Sequence, residues 1–123
     1  MTLQEITALL TQHVAALNEP DKGRRTLMIA EVYAEALQFI DPLLEFTGRA
    51  HLNGFVKELH QQNPGYVFRM IPPIEAHHNL ARMNWQFGPE ENPTAIAGQD
   101  IAVLANGRIQ TLYIFVDGVT PQS

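Results

Sequence analysis

Three side chains that can move a proton lie in otherwise apolar stretches of this chain. His13 falls on the apolar stripe of a helical pattern, Asp41 follows an apolar segment, and Asp100 interrupts the apolar run of residues 96–104. Carboxylates and imidazoles are common general acids and bases in proteins. Since the chain has no cysteine and its one serine is the last residue, Ser123, these three side chains are the leading catalytic candidates.

Each candidate also has a purely structural interpretation. Asp41 precedes a proline and could be a turn residue that accepts nearby backbone N–H groups. Strand alternation places Asp100 on the face shared with Gly98; if that face points inward, the carboxylate needs a partner and Gly98 leaves room for a ligand. If the face points outward, Asp100 is a surface residue. His13 could be a core histidine with satisfied hydrogen bonds. We expect Asp100 to face inward.

Composition narrows the class of protein. The chain has 123 residues, of which 46% are hydrophobic, and 13 acidic against 8 basic residues give a net charge of −5. This length predicts one domain over residues 1–123. The negative charge argues against a nucleic-acid partner, and no apolar run approaches the roughly 20 residues that span a membrane. The start of the chain lacks the basic residues of a signal peptide, so we expect a cytoplasmic protein.

No cofactor or metal is expected from the sequence. The glycines form neither of the common nucleotide-binding patterns, and no HExxH array is present. His77 and His78 are adjacent in a predicted strand, where neighbouring side chains point to opposite faces. These two histidines are therefore predicted not to hold one metal ion together.

Three helices are predicted in the first half of the chain. Thr2 and Glu5 form a capping box that opens a helix ending near Asn18. Asp21 can cap a second helix, although the basic residues after it suggest a start a few residues later. The apolar face of this second helix is expected to extend to Ala36, before a short strand over residues 37–40. The third helix is predicted over residues 49–62.

The apolar period changes to two in the second half of the chain. Strands are predicted over residues 66–71, 74–87, 94–105 and 108–117, and Asn106-Gly107 predicts a hairpin between the last two. The order predicts an α+β fold in which three N-terminal helices pack on one side of a curved, mainly antiparallel sheet. Such a cone encloses a cavity, where ligands commonly bind.

A set of ordered motifs resembles a known family. The motifs are Val32-Tyr33-Ala34-Glu35, Phe39-Ile40-Asp41-Pro42, His77-His78-Asn79, Gly98-x-Asp100, Asn106-Gly107-Arg108-Ile109 and Phe115-Val116-Asp117. Together they resemble the SnoaL-like branch of the nuclear transport factor 2-like superfamily. The resemblance implies a cone-shaped α+β barrel that often dimerises through its sheet. Members include ketosteroid isomerases, polyketide cyclases, epoxide hydrolases and non-catalytic binding modules, so the fold does not fix the function.

The resemblance to ketosteroid isomerases implies roles for four residues. Asp41 falls where the family has its base, and Asp100 falls where it has a protonated acid. The family's oxyanion-binding tyrosine corresponds to His13, where a neutral imidazole can still donate one hydrogen bond. Tyr33 matches a pocket tyrosine. The resemblance to epoxide hydrolases fails, because the family's Arg-x-Asp motif reads Arg82-x-Asn84 here and lacks its general base.

An apolar pocket is expected around these groups. Trp85 and Met83 share the strand face that is predicted to line the cone, and Phe55 lies on the apolar stripe of the third helix. Trp85 could stack on a flat ligand or simply pack in the core. The expected partner is a small apolar or aromatic molecule, and the expected activity is proton transfer next to a carbonyl by an isomerase or cyclase. The alternative is a non-catalytic ligand-binding or dimerisation module; a homodimer through the sheet is expected for either.

Overall fold

The computed structural model describes residues 1–120, so Pro121–Ser123 at the end of the predicted domain lie outside it. Three helices and six strands follow one another along the chain: α1 (Leu3–Asn18), α2 (Lys22–Val32), β1 (Tyr33–Ile40), β2 (Glu45–Thr47), α3 (Arg49–Gln62), β3 (Val67–His77), β4 (Leu80–Gly88), β5 (Ile96–Ala105) and β6 (Arg108–Val116). None of the helices in the described part of the chain is long and apolar enough to cross a membrane.

The six strands form one mixed sheet in the order β2-β1-β6-β5-β4-β3. All neighbours are antiparallel except β1 and β6, which are parallel. The long connection between β1 and β6, which contains α3 and four strands, allows these two strands to run parallel. The predicted α+β cone of three helices on a mainly antiparallel sheet is confirmed, although the sheet stays open between β2 and β3 and does not close into a barrel.

Both N-terminal helices begin at the predicted caps. In α1, the Thr2 hydroxyl accepts from the Glu5 amide at 3.1 Å and the Glu5 carboxylate accepts from the Thr2 amide at 2.8 Å. In α2, the Asp21 carboxylate accepts from the Arg24 amide at 2.8 Å. The predicted later start of α2 is wrong, since this cap outweighs the weak repulsion between the helix dipole and nearby cations. Arg25 is buried and donates to Asn53 at 2.6 Å.

The end of α2 differs from the prediction. The helix stops at Val32, and Tyr33 already has extended geometry with φ −111° and ψ 148°. The Arg49 guanidinium donates to the carbonyl oxygens of Ala30 and Tyr33 at 2.8–3.1 Å, which satisfies groups left open at the helix end. Residues 33–36 therefore belong to β1 rather than to the helix. The three-residue strand β2 was not predicted, because it is too short for a period-two signal.

The predicted long strand over residues 74–87 is two strands of a hairpin. β3 runs through Pro72 and Pro73 to His77, and its pairing with β4 is interrupted between Ile71 and Glu75. Proline is tolerated there because β3 is an edge strand. His78 turns the chain with φ 52°. The predicted hairpin at Asn106-Gly107 is confirmed, with φ 53° and 74° at the two residues.

Strand alternation directs one face of the sheet toward the helices. In β4 the inward residues are Ala81, Met83, Trp85 and Phe87, which are all buried, and Arg82 and Asn84 between them are exposed. β5 continues this face, because Met83 pairs with Asp100 and Trp85 pairs with Gly98. The concave side of the sheet thus presents one carboxylate within an apolar surface.

Candidate functional site

A cavity of about 350 Å³ lies between the inward face of the sheet and the helices α1 and α3. Its wall is mostly apolar, and three of the four residues predicted to bind a ligand, Phe55, Met83 and Trp85, line it, whereas Tyr33 does not. Its polar side chains are Asp41, Gln62, Asn63 and Asp100. This volume and this composition are typical of sites for small molecules.

Asp100 lies on the cavity wall and is 4% exposed. Its Oδ2 atom is 2.9 Å from His13 Nε2, and its Oδ1 atom makes no hydrogen bond within the described residues. The inward orientation predicted from strand alternation is therefore correct. A buried carboxylate with one oxygen held by the protein and one oxygen free is suited to proton transfer.

His13 is fully buried and contacts two polar groups. Its Nε2 atom faces Asp100, and its Nδ1 atom forms a short hydrogen bond with the Tyr33 hydroxyl, which is also fully buried. Burial and the negative charge of Asp100 raise the pKa of Tyr33 well above the usual range of a phenol. The phenol therefore keeps its proton; in the tautomer in which it donates to Nδ1, the imidazole donates from Nε2 to Asp100.

Neither His13 nor Tyr33 is part of the cavity wall. Both nitrogens of the imidazole are occupied by protein groups, so His13 has no free donor for an oxyanion of a ligand. The structure thus places the expected oxyanion donor and the expected pocket tyrosine behind Asp100, outside the cavity wall. The sequence signal that could have found the contact is the position of His13 on the buried stripe of α1.

Asp41 was predicted to be either a turn residue or a residue of the site, and in the structure it has the position of both. Its Oδ1 atom accepts from the amides of Leu43 and Leu44 at 2.8 and 2.9 Å, which is the turn geometry expected before a proline. The half-buried residue also lines the cavity together with these two leucines. Asp41 and Asp100 thus share one cavity, but Asp41 has an oxygen committed to the backbone.

The indole of Trp85 fills the space beside Gly98. A Cβ atom at position 98 would lie 2.5 Å from Cζ2 of Trp85 and 2.0 Å from the carbonyl oxygen of Phe115. The expectation that Gly98 leaves room for a ligand is therefore wrong, since the indole takes that room. The Trp85 Nε1 atom is buried and has no hydrogen-bond partner within residues 1–120.

Two groups singled out in the sequence lie outside the cavity. Arg82 is on the outer face of the sheet, where its Nη2 atom is 2.9 Å from Oε1 of Glu75. His77 and His78 are at the tip of the β3–β4 hairpin, and their Nδ1 atoms are 3.0 Å apart. The prediction that these rings point to opposite faces is wrong, because the strand ends at His77. Among residues 1–120, no three His, Asp or Glu side chains are arranged to hold a metal ion.

Gln62 and Asn63 are cavity residues that no motif in the sequence singles out. Both lie at the C-terminal end of α3, where Asn63 also donates to the carbonyl of Leu59 at 3.1 Å. Amides are common at helix ends for purely local reasons. Only the packing of α3 over the sheet shows that they face a cavity.

Solved structures support this architecture, whereas comparisons of the sequence found no match: no family model matches the chain, and no curated protein matches it. A candidate isomerase of the SnoaL-like family from Agrobacterium tumefaciens is 26% identical in sequence, with a TM-score of 0.87 over 94% of this chain and 100% of that one.

Two further solved structures show the same fold at lower identity. A candidate ketosteroid isomerase from Kribbella flavida is 18% identical, with a TM-score of 0.70 over 98% of this chain and 83% of that one. A candidate polyketide cyclase from Sinorhizobium meliloti is 13% identical, with a TM-score of 0.70 over 87% and 93%. The chain therefore has the cone fold of the SnoaL-like branch of the nuclear transport factor 2-like superfamily, as its motifs suggested.

Proposed function

We propose that this protein binds a small, largely apolar molecule in the cavity and transfers a proton at the carbon next to its carbonyl group. The observation that carries the proposal is the carboxyl group of Asp100, which is buried in the wall of an apolar cavity with Oδ1 free and Oδ2 held by His13. The names of the structural neighbours, which include isomerases and cyclases, agree with this class of reaction.

Asp100 is the proposed base. Its Oδ1 atom takes a proton from the carbon beside the carbonyl, and the C–H electron pair moves into a new C=C bond while the carbonyl oxygen becomes an enolate. In an isomerase acting on a β,γ-unsaturated ketone, the enolate is conjugated with the existing C=C bond, and Asp100 returns the same proton to the γ carbon, which moves the double bond next to the carbonyl. In a cyclase, the enolate carbon attacks a second carbonyl of the same molecule and Asp100 protonates the new alkoxide. At the end of either reaction, Asp100 has given up the proton and is a carboxylate again.

His13 and Tyr33 are proposed as positioning residues. The chain of hydrogen bonds from Tyr33 through His13 to Asp100 fixes the orientation of the carboxylate and leaves its other oxygen toward the cavity. A base held in one orientation reacts faster than a freely rotating one, because the geometry is set before the substrate arrives. The roles implied by the resemblance are thus redistributed, with Asp100 as base rather than Asp41.

The alternative is a binding module without catalysis. Two observations favour it: Asp41 is engaged in a turn, and His13 lies behind the cavity wall. In that case the Asp100–His13 pair stabilises the core, and the cavity binds a ligand without changing it. The exchange experiment described next separates catalysis from binding alone.

The test follows exchange of the hydrogens next to the carbonyl of 2-tetralone in D₂O, a ketone small enough for a cavity of about 350 Å³. The parent protein should accelerate the exchange, and Asp100→Asn should lower the rate by about 100-fold or more. Asp41→Asn is the matched control. Because an amide oxygen can still accept in the turn, it should lower the rate less than Asp100→Asn does. Loss of exchange in Asp41→Asn alone would move the base to Asp41.

We also propose that two copies associate through the outer face of the sheet. Tyr113 and Phe115 of β6 are 43% and 59% exposed, and they pair with Ile101 and Gln99 of β5 on the same face. Contiguous exposed aromatic and aliphatic side chains commonly mark an interface. A second copy is the partner that best fits, because an apolar sheet face is complementary to itself around a twofold axis.

A further inference from the structure

We infer that Trp85 is the oxyanion donor of this site and that its ligand is a neutral ketone whose oxygen accepts from Trp85 Nε1. This inference rests on the proposed function. It gives Trp85 the role of oxyanion donor, which the resemblance gives to another residue. The resemblance puts the residue that donates to the oxyanion at His13, but both nitrogens of His13 are bound by protein groups here. Trp85, which lines the cavity, carries an N–H group without a partner in the described part of the chain.

The first observation is the unpaired donor itself. Trp85 is 7% exposed, it lines the cavity, and its Nε1 atom is the one buried side-chain nitrogen or oxygen without a partner in the described part of the chain. Buried polar groups are nearly always hydrogen-bonded, because an unpaired group loses its bonds to water without replacement. An acceptor brought into the cavity by a ligand would satisfy it.

The second observation is the position of Trp85 relative to Asp100. Trp85 pairs with Gly98, and Asp100 lies two residues further along β5 on the same inward face. Two strand residues correspond to about 7 Å, and both side chains extend over the same wall. A carbonyl oxygen and the hydrogen on the adjacent carbon are close together in one molecule. One ligand can therefore contact the Trp85 N–H group and the Asp100 carboxylate at once.

The indole is held in place by a specific feature of β5. Gly98 has no side chain, so the ring lies directly against the strand, where any Cβ atom would be 2.5 Å from Cζ2. Phe68 packs on the ring with centroids 5.7 Å apart. A donor that is already oriented loses little freedom when the charge on the oxygen develops, which is the requirement for oxyanion stabilisation.

The charge of the cavity wall selects against anionic ligands. Its ionisable side chains are Asp41 and Asp100, and no Lys, Arg or His is among the described residues that line it. A ligand carrying a carboxylate or phosphate would meet two like charges and no cation in a poorly screened site. A neutral ketone avoids this repulsion and still offers an acceptor to Trp85.

The experiment uses the full chain labelled with ¹⁵N and three probes of similar shape: 2-tetralone, tetralin and 1,2,3,4-tetrahydro-2-naphthoate. Trp85 is the only tryptophan, so the spectrum has a single indole N–H signal. The indole proton should move downfield with 2-tetralone, because it enters a hydrogen bond, and should not do so with tetralin. The naphthoate should bind at least about tenfold more weakly than the ketone, as expected for like-charge repulsion.

Trp85→Phe removes the donor and keeps an aromatic ring. It should weaken 2-tetralone binding roughly tenfold, as for one lost hydrogen bond, and change tetralin binding much less. If this variant does not fold, the indole signal of the parent protein decides alone. The inference is overturned if 2-tetralone binds without a downfield shift, if both ligands lose affinity equally in Trp85→Phe, if the naphthoate binds as well as the ketone, or if the ketone does not bind.

The outcomes separate this inference from the proposed function. A downfield indole shift with no deuterium exchange in 2-tetralone supports the Trp85 subsite and rejects the proton-transfer activity. Exchange that depends on Asp100, without any change at the indole, supports the activity and rejects Trp85 as the donor.

Discussion

Nε2 of His13 and Oδ2 of Asp100 lie 2.9 Å apart and join α1 to β5 across 87 positions of the sequence. Both residues are buried, and the other imidazole nitrogen is bound by Tyr33. The contact therefore fixes the helix on the sheet and the carboxylate on the cavity wall at the same time. Stability and the proposed chemistry depend on the same hydrogen bond, so breaking it should lower both the free energy of unfolding and the rate of proton transfer.

Replacement of His13 by leucine should destabilise the protein by about 3–5 kcal/mol, because it leaves a buried carboxylate and a buried phenol without their partner. The double variant His13→Leu/Asp100→Leu should be more stable than His13→Leu alone, since it removes the unpaired charge as well. Urea unfolding followed by circular dichroism measures both. Glu75→Gln is the control: it breaks the exposed pair with Arg82 and should cost at most about 1 kcal/mol. A double variant less stable than His13→Leu would contradict this account.

Tyr33 should make the protein less stable at high pH. Its pKa is raised in the folded state by burial and by Asp100. Below the usual phenol pKa of about 10 both states keep the proton, so the stability contribution is complete. Above it the unfolded state releases the proton first, and the unfolding free energy falls with pH by up to about 1.4 kcal/mol per unit until the folded state also ionises.

The measurement for Tyr33 is urea unfolding between pH 8 and about 11. Tyr33→Phe should be less stable near neutral pH but should lose less stability as the pH rises than the parent does. Tyr66→Phe, at a half-buried position outside the proposed dimer contact, should retain the parent's dependence on pH. Equal slopes in the parent and Tyr33→Phe would show that the phenol is not the responsible group.

The elements that the sequence predicted correctly are those with local signals. The capping box at Thr2 and Glu5 fixes the start of α1, and Asn106-Gly107 fixes the last hairpin because both residues accept positive φ. The inward orientation of Asp100 followed from alternation within one strand. These signals need no knowledge of the rest of the fold.

The features that the sequence missed depend on distant contacts. Arg49 donates to the carbonyl oxygen of Tyr33 and helps to end α2 there. The end of the helix could not be predicted from residues 30–36, because this partner lies outside them. The His13–Tyr33 contact and the free Nε1 atom of Trp85 likewise follow from packing between elements far apart in sequence. Residue types could suggest acids and a histidine, but only the assembled core shows which of them reach the cavity.

Gly98→Ala should destabilise the protein by about 1–3 kcal/mol, because the new methyl group would overlap the Phe115 carbonyl oxygen and the Trp85 ring. It should also change the fluorescence of Trp85, since the ring must move. Gly54→Ala is the matched control: the helical position has open space around it, so alanine should stabilise by roughly 0.5–1 kcal/mol. Thermal unfolding of both variants gives the comparison. A neutral Gly98→Ala variant would show that the indole is not held against β5.

Asp41 allows its turn role to be separated from its charge. Asp41→Ala removes the acceptor of two backbone amides and should lower stability by about 1–2 kcal/mol. Asp41→Asn keeps an acceptor oxygen and should lose less than half as much. Chemical denaturation of the two variants measures the difference. Equal losses would mean that the negative charge, rather than the turn geometry, stabilises this segment.

The outer face of the sheet offers the last test. If a second copy covers Tyr113 and Phe115, then Phe115→Glu should convert a dimer into a monomer near 13.8 kDa, because it places two charges in a desolvated apolar contact. Light scattering after size-exclusion chromatography at several concentrations measures the mass. Leu27→Glu is the control, since this helix residue is 70% exposed and lies in α2, away from the sheet face. A dimer that persists in Phe115→Glu, or a parent that is monomeric at all concentrations, would assign this face to another partner or to none.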